Sequence, residues 1–94
     1  MATIKKRDIV RKIADELRVP QTTVVGVIQR FLDSCVAELV RGNRLEFRDF
    51  GVLNVVTRKT RVARNPKTGA PVQVPERKVV VFKMGKHLKQ ALRQ

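Results

Sequence analysis

The chain has 94 residues, of which 21 are Lys or Arg and eight are Asp or Glu, so its formal net charge is +13. This length fits one domain, and so large a positive charge predicts a polyanionic ligand, because cations crowded on a small domain repel one another. Aromatic residues make up only 4% of the chain, without Tyr or Trp, which weighs against recognition of single-stranded bases by stacking.

The cellular setting is constrained by what the sequence lacks. The single cysteine, Cys35, excludes an intramolecular disulfide and is compatible with a reducing compartment. No apolar run approaches the roughly 20 residues of a membrane span. The basic N-terminus is not followed by the apolar segment of a secretory signal. We therefore expect the protein in the cytoplasm, together with its polyanion.

Two amphipathic helices are predicted in the first half of the chain. Residues 5–17 carry apolar side chains at helical spacing. Pro20 suits the first turn of a second helix, which ends before Gly42. This helix has an apolar stripe too wide for packing on one face, which predicts a two-fold dimer. Gly26 lies inside it, where Gly costs about 1 kcal/mol relative to Ala, and close helix packing explains that glycine better than a hinge does.

Strand periodicity replaces helical periodicity after Asn43. Leu45 to Phe47 predicts a short strand, Arg48-Asp49 a turn, and Gly51 a bend or a close approach of backbones. A second strand starts at Val52, a returning strand ends at Phe82, and residues 83–94 form a short basic helix with Leu88, Ala91 and Leu92 facing inward. The single cysteine and the four phenylalanines occupy apolar positions and are expected in the core; they are Cys35, Phe31, Phe47, Phe50 and Phe82.

A projecting β-hairpin arm is predicted over about residues 57–76. Two alternating, cationic runs flank the segment Arg64-Asn65-Pro66-Lys67-Thr68-Gly69. Asn-Pro and Thr-Gly are turn dipeptides, because Pro fixes φ and Gly accepts positive φ. A two-stranded hairpin is marginally stable alone, so we expect the arm to order on an anionic partner. The predicted fold is thus a single α+β domain, residues 1–94, with a three-stranded antiparallel sheet, the long hairpin arm and a C-terminal helix.

These segments resemble the bacterial histone-like DNA-binding proteins, the HU and integration host factor family. The resemblance is carried by the run at 64–69, by Arg48-Asp49-Phe50-Gly51, and by the ending Phe82-Lys83-Met84-Gly85-Lys86-His87-Leu88-Lys89. It implies an intertwined dimer whose two arms enter the DNA minor groove, with Pro66 wedged between base pairs at each tip.

Five positions depart from the family pattern. Leu53 stands where Phe is usual, Pro20 replaces a Ser or similar cap, and Lys5 falls where a Thr or Asn cap is usual. Val80 and Met84 lie where prolines are frequent. These changes concern caps and packing more than binding.

The arm and the body supply candidate DNA contacts. Long cationic side chains can reach the walls and floor of the negative minor groove. Arg58 and Arg61 are three apart, so strict alternation places them on opposite faces. Lys83, Lys86 and Lys89 have helical spacing and suggest a phosphate track, joined by Lys6. The predicted DNA-binding residues are Lys6, Arg58, Lys59, Arg61, Arg64, Asn65, Pro66, Lys67, Thr68, Lys83, Lys86 and Lys89.

Simpler explanations compete for some of these residues. A solvated cationic face explains any one lysine as well as a phosphate contact does, but it explains the whole set poorly at +13. Asn65 either donates to base acceptors or caps the turn. His87 is expected to be exposed. We find no nucleophile–base–acid set, no glycine-rich phosphate loop and no metal-ligand spacing in the sequence, and we predict neither an enzyme nor a cofactor.

The leading hypothesis is an architectural DNA-binding homodimer of low sequence preference that compacts the nucleoid. The segment Arg77-Lys78-Val79-Val80-Val81-Phe82 looks somewhat like the integration-host branch, so the alternative is a sequence-preferring bender, with a heterodimer as an open form of it. A basic RNA-binding protein is the third hypothesis. The proline-tipped arm argues against it, because A-form duplexes have no narrow minor groove for the arm to enter.

Overall fold

The computed structural model describes residues 1–93, and for Arg61 it describes the backbone only. The elements follow in the order α1 (Lys6–Leu17), α2 (Gln21–Val40), β1 (Leu45–Phe47), β2 (Gly51–Arg58), β3 (Arg61–Arg64), β4 (Pro71–Val74), β5 (Arg77–Met84) and α3 (Lys86–Leu92). The chain divides into two compact units, Met1–Ala37 and a second that begins at Glu38. Within residues 1–93 no helix is both long and apolar enough to cross a membrane.

The predicted first helix is confirmed, and its ends show how the chain caps it. Lys5 occupies the N-cap, and its backbone N–H donates to the Asp8 carboxylate at 2.9 Å. Asp8 thus compensates for a cap residue whose side chain cannot accept a hydrogen bond. At the other end Arg18 adopts a left-handed conformation, with φ of 55°, and its N–H donates to the Ala14 carbonyl. The helix therefore terminates before Pro20 can affect it.

The second helix is confirmed to Val40, but Pro20 lies outside its first turn. The Pro20 carbonyl accepts from the N–H groups of Thr23 and Val24 at 3.1 and 3.2 Å, so Pro20 is the flanking residue. Gly42 terminates the helix in a left-handed conformation, with φ of 85°. The core of the N-terminal unit is small: Val10, Ala14 and Val24 are buried, with Ile13, Val19 and Ile28 packed around them.

Much of the apolar stripe of α2 faces solvent in the single chain. Val27 is 64% exposed, Phe31 52% and Val36 59%, so the expected core position of Phe31 is wrong within one chain. Cys35 is half-buried. No atom lies within 4 Å of a Cβ built on Gly26, which contradicts close packing of this glycine in the chain. The reason is that Gly26 falls on the polar side of α2, one turn before Arg30.

The C-terminal unit is built on the predicted three-stranded antiparallel sheet, in the order β1-β2-β5. Leu45 pairs with Leu53, and Leu53 pairs with Phe82. The β1–β2 turn is closed by a 3.0 Å hydrogen bond from the Phe50 N–H to the Phe47 carbonyl, and Asp49 in that turn has φ of 69°. The predicted strand–turn–strand is therefore correct.

Gly51 is the buried residue at the start of β2, and the predicted close approach is confirmed. A Cβ at Gly51 would lie 2.5 Å from the Phe82 ring and 2.7 Å from the Lys83 carbonyl oxygen. The ring centroids of Phe50 and Phe82 are 5.4 Å apart. Both remain substantially exposed, so their predicted core positions are wrong within one chain, whereas Phe47 is half-buried.

The last helix is shorter than predicted. Strand β5 continues through Met84, which pairs with Gly51, and Gly85 is an extended N-cap before α3. At Lys83 and Met84, cross-strand hydrogen bonding to β2 overrides the helix propensity. Leu88 is half-buried, but Ala91 and Leu92 are exposed, so their inward orientation is wrong in the single chain. The end of the predicted helix, Gln94, lies outside the described residues.

Candidate nucleic-acid interface

The tip of the arm is a turn closed by two backbone hydrogen bonds. The Asn65 N–H donates to the Ala70 carbonyl at 2.9 Å, and the Gly69 N–H donates to the Asn65 carbonyl at 2.7 Å. Gly69 has φ of 71°, a conformation that side chains with a Cβ rarely adopt. The Thr-Gly signal therefore marks the residue that lets the chain reverse.

Two side chains brace the same turn from inside. Asn65 Oδ1 accepts from the Lys67 N–H at 2.9 Å, and Thr68 Oγ1 accepts from the Ala70 N–H at 3.2 Å. Asn65 therefore caps the turn, which was one of its two predicted roles. Its amide nitrogen makes no hydrogen bond within the described residues. The bracing role of Thr68 was missed by sequence reasoning, although Thr two residues before Ala70 is a known turn signal.

Pro66 lies at the outer end of this braced turn and is exposed. It has no N–H that could be left without a partner. The flanking cations, Arg64 and Lys67, are exposed as well. The structure thus holds a rigid apolar ring at the tip between two cationic side chains.

The two strands of the arm pair in the same register as β2 and β5 of the three-stranded sheet. Arg58 pairs with Arg77 at the end of β2–β5, and β3–β4 pairing starts with Arg61 opposite Val74. Between these pairs, residues 59–60 and 75–76 belong to no strand. The predicted ribbon is confirmed, but the ladder opens at its root. The predicted orientation of the Arg61 side chain lies outside the described residues.

A cavity of about 220 Å³ lies at this opening, and its lining residues are Arg58, Lys59, Val74, Pro75 and Arg77. Sequence reasoning missed Arg77. Pairing the two alternating runs outward from the turn would have placed it opposite Arg58, and this is the signal that could have found it.

Lys83 is not part of a helical phosphate track, which corrects the sequence prediction. It lies on β5 opposite Val52, and alternation along β5 puts it on the same sheet face as Arg77. Lys86 and Lys89 do lie on α3 and are exposed. The helical spacing is therefore real for two of the three lysines.

Lys6 lies in the first turn of α1, in the N-terminal unit. Its ammonium group donates to Gln29 Oε1, and Gln29 Nε2 donates to Asp33 at 2.8 Å. This exposed polar chain holds the Lys6 side chain against α2.

The remaining polar groups reveal no competing site in the described part of the chain. The ion pairs are Lys12–Glu16, Glu38–Arg41 and Arg44–Glu46, on exposed or half-buried side chains outside the arm. No group of three or more His, Cys, Asp or Glu residues in residues 1–93 could hold a metal ion. His87 is exposed, as expected.

Comparison with known proteins agrees with this geometry. Residues 4–93 match the family described as bacterial DNA-binding protein. The chain belongs to this family. The probable DNA-binding protein HU of Chlamydia pneumoniae is 46% identical over 93 residues, which are 98% of this chain and 93% of the relative. The probable DNA-binding protein HU of Chlamydia trachomatis matches with the same identity and coverage.

Solved structures of HU proteins have a similar fold. An Anabaena HU–DNA cocrystal structure superposes with a TM-score of 0.87 at 25% identity, covering 95% of this chain and 97% of that one. A point mutant of HU from Thermotoga maritima gives a TM-score of 0.69 at 19% identity, covering 95% and 99% of the two chains. The helices, the sheet and the arm are thus the elements of a known HU-type fold.

Proposed function

We propose that the protein binds double-stranded DNA as an architectural protein of low sequence preference and bends it. The observation that carries the proposal is the arm tip, where Pro66 projects from a turn braced by Asn65 and Thr68. A wedge must keep its shape while it separates stacked bases, and the internal hydrogen bonds of this turn supply that rigidity. Family membership and the HU relatives support the same function.

Pro66 is the intercalating residue in this proposal. Its ring is compact and apolar, and it enters a base step with little loss of conformational entropy. Partial unstacking costs a few kcal/mol for each step, so other contacts must offset it. The cations of the arm provide these contacts in the minor groove, and they are Arg58, Lys59, Arg61, Arg64 and Lys67.

The body then binds the flanking DNA through its lysines. Lys86 and Lys89 on α3 and Lys83 on β5 are exposed and free of ion pairs with described acids. Lys6 is bound to a neutral amide, so no carboxylate competes with a phosphate for its ammonium group. Bending a site of 20–30 base pairs costs about 1–6 kcal/mol by smooth elastic estimates, and these phosphate contacts offset that cost.

A homodimer is the functional form in this proposal. The exposed apolar stripe of α2 supports it, because soluble monomers rarely leave a contiguous apolar surface of this kind uncovered. A two-fold copy covers the stripe of one chain with that of the other and supplies the second arm. Such a dimer compacts DNA in the bacterial nucleoid, within the cytoplasm, and has no enzymatic step.

The alternative functions have less support. The similar proteins named above are HU proteins, so a sequence-preferring integration-host type is not favoured. No observation on the described residues favours RNA over DNA.

Sedimentation of the purified protein tests the proposal directly. We expect a dimer without DNA and a defined complex with a duplex of about one to three helical turns. Competition with random and fixed sequences should give similar affinities. A monomer that leaves the duplex free would refute the proposed function.

A further inference from the structure

The root of the arm contains an opening that the proposed minor-groove contacts do not explain. Pairing of β2 with β5 ends at Arg58 and Arg77, and pairing resumes only at the β3–β4 ladder. Because the register is the same on both sides, positions 59 and 60 face 76 and 75 without belonging to a strand. Pro75 has no N–H to donate to the ladder, which accounts for the opening at that position.

The opening forms the cavity of about 220 Å³ lined by Arg58, Lys59, Val74, Pro75 and Arg77, here called the arm-root cavity. Among the described residues, three of the five that line it are cations, and none is an acid. Glu76 is the only acid between positions 51 and 84, and it does not line the cavity. None of the ion pairs among the described residues involves the three cations.

Arg58 and Arg77 are direct cross-strand partners. Like charges directly opposite each other destabilise a strand pair, so this rung of the ladder is unfavourable without an anion. Two guanidinium groups on adjacent strands present fork-shaped donors that match the oxygens of a phosphate. Lys59 adds a third donor from the unpaired segment. The arrangement therefore favours an oxyanion bound between the two strands.

We infer that the arm-root cavity binds one phosphodiester group of the DNA backbone, held by Arg58 and Arg77 from opposite strands together with Lys59. This inference rests on the proposed DNA binding and adds Arg77 to its residues. The bound phosphate bridges the strands where the backbone ladder is open. It thereby anchors the root of the arm on the duplex, independently of the tip.

The site can be tested first without DNA, with inorganic phosphate as the probe. NMR titration of the full-length protein should shift the amides of Arg58, Lys59 and Arg77 with phosphate but not with chloride at equal ionic strength. Arg77→Gln should abolish these shifts. Lys78→Gln removes the same charge from the next residue of β5, which points to the other face, and should retain them. Equal shifts with phosphate and chloride, or shifts that survive in Arg77→Gln, would overturn the inference.

Binding to a duplex at several salt concentrations then separates a backbone phosphate from free phosphate. Arg77→Gln should lower the slope of log affinity against log salt by about one unit for each arm, and Lys78→Gln should lower it less. Equal slopes for the two variants mean that the cavity is not a DNA contact, and they overturn the inference while the proposed function stands. A wild-type protein that binds no duplex overturns both.

Discussion

Gly51 and Gly26 have opposite environments, although both lie inside regular elements. A Cβ at Gly51 would meet a backbone oxygen at 2.7 Å, and backbone cannot move aside as a flexible side chain can. A Cβ at Gly26 would meet nothing within 4 Å. The first glycine is required by packing, and the second is a plain cost to helix stability.

We therefore expect Gly51→Ala to destabilise the protein by about 1–3 kcal/mol, the usual cost of overpacking. Gly26→Ala, the matched control, should stabilise it by up to about 1 kcal/mol, because Ala has the higher helix propensity. Urea unfolding followed by circular dichroism measures both. A stabilised Gly51→Ala variant would contradict the packing reason given for this glycine.

Pro66 is the residue on which bending depends in the proposed function. Pro66→Ala should reduce the bend of a short duplex strongly, while affinity falls by less than about tenfold, since the cost of unstacking disappears together with the wedge. Energy transfer between labels at the duplex ends measures the bend. The control variant is Pro20→Ala, because Pro20 lies beside the start of α2 and is distant in sequence from the arm. It should leave the bend unchanged. Equal bending by Pro66→Ala and the wild type would exclude the wedge.

At the scale of elements, α2 has more apolar surface than its own chain covers. Leu32 lies within the stripe, between the half-buried residues Ile28 and Cys35, and is still 40% exposed. Ala37 is exposed on the polar side of the same helix, three turns after Gly26. The two positions thus distinguish an interface from a solvated face.

Leu32→Lys should weaken the dimer at least about a hundredfold. Each protomer loses the burial of a Leu side chain, about 1.5–3 kcal/mol, and a two-fold interface loses it twice. Ala37→Lys adds the same charge and should leave the dimer intact. Analytical ultracentrifugation over a range of concentrations measures this. If both variants dissociate alike, added charge rather than the apolar stripe governs assembly.

At the scale of the whole molecule, we expect the net charge of +13 to govern the affinity for DNA. Most of these cations lie on exposed side chains and have no acidic partner among the described residues. Phosphate contacts therefore release counterions when the protein binds DNA, and this release makes binding sensitive to salt.

We expect affinity for a duplex to fall about 10³–10⁵-fold between 50 and 200 mM salt if roughly 6–10 phosphates are contacted. Fluorescence anisotropy with a labelled duplex measures the change. An affinity that stays constant over this range would show that phosphate contacts are not the main contribution to the binding free energy.

Local sequence was sufficient for the first two helices and for the tip of the arm. The two helices, the Arg48-Asp49 turn and the Asn-Pro and Thr-Gly signals act over a few residues, where propensity and turn chemistry decide the conformation. The fold class, the turn and the exposed Pro66 were therefore predicted correctly. The excess of Lys and Arg over Asp and Glu, which is also a property of the sequence alone, predicted a polyanionic partner.

Only the tertiary structure decided which residues meet across strands and which apolar side chains one chain can bury. Lys83 belongs to β5 because Val52 pairs with it, and Arg77 joins Arg58 because the register of the ribbon places them opposite each other. Phe31, Phe50, Phe82 and much of the α2 stripe have core-like periodicity but remain exposed within one chain. Pairing and burial depend on partners distant in sequence, and periodicity contains no information about whether those partners are present.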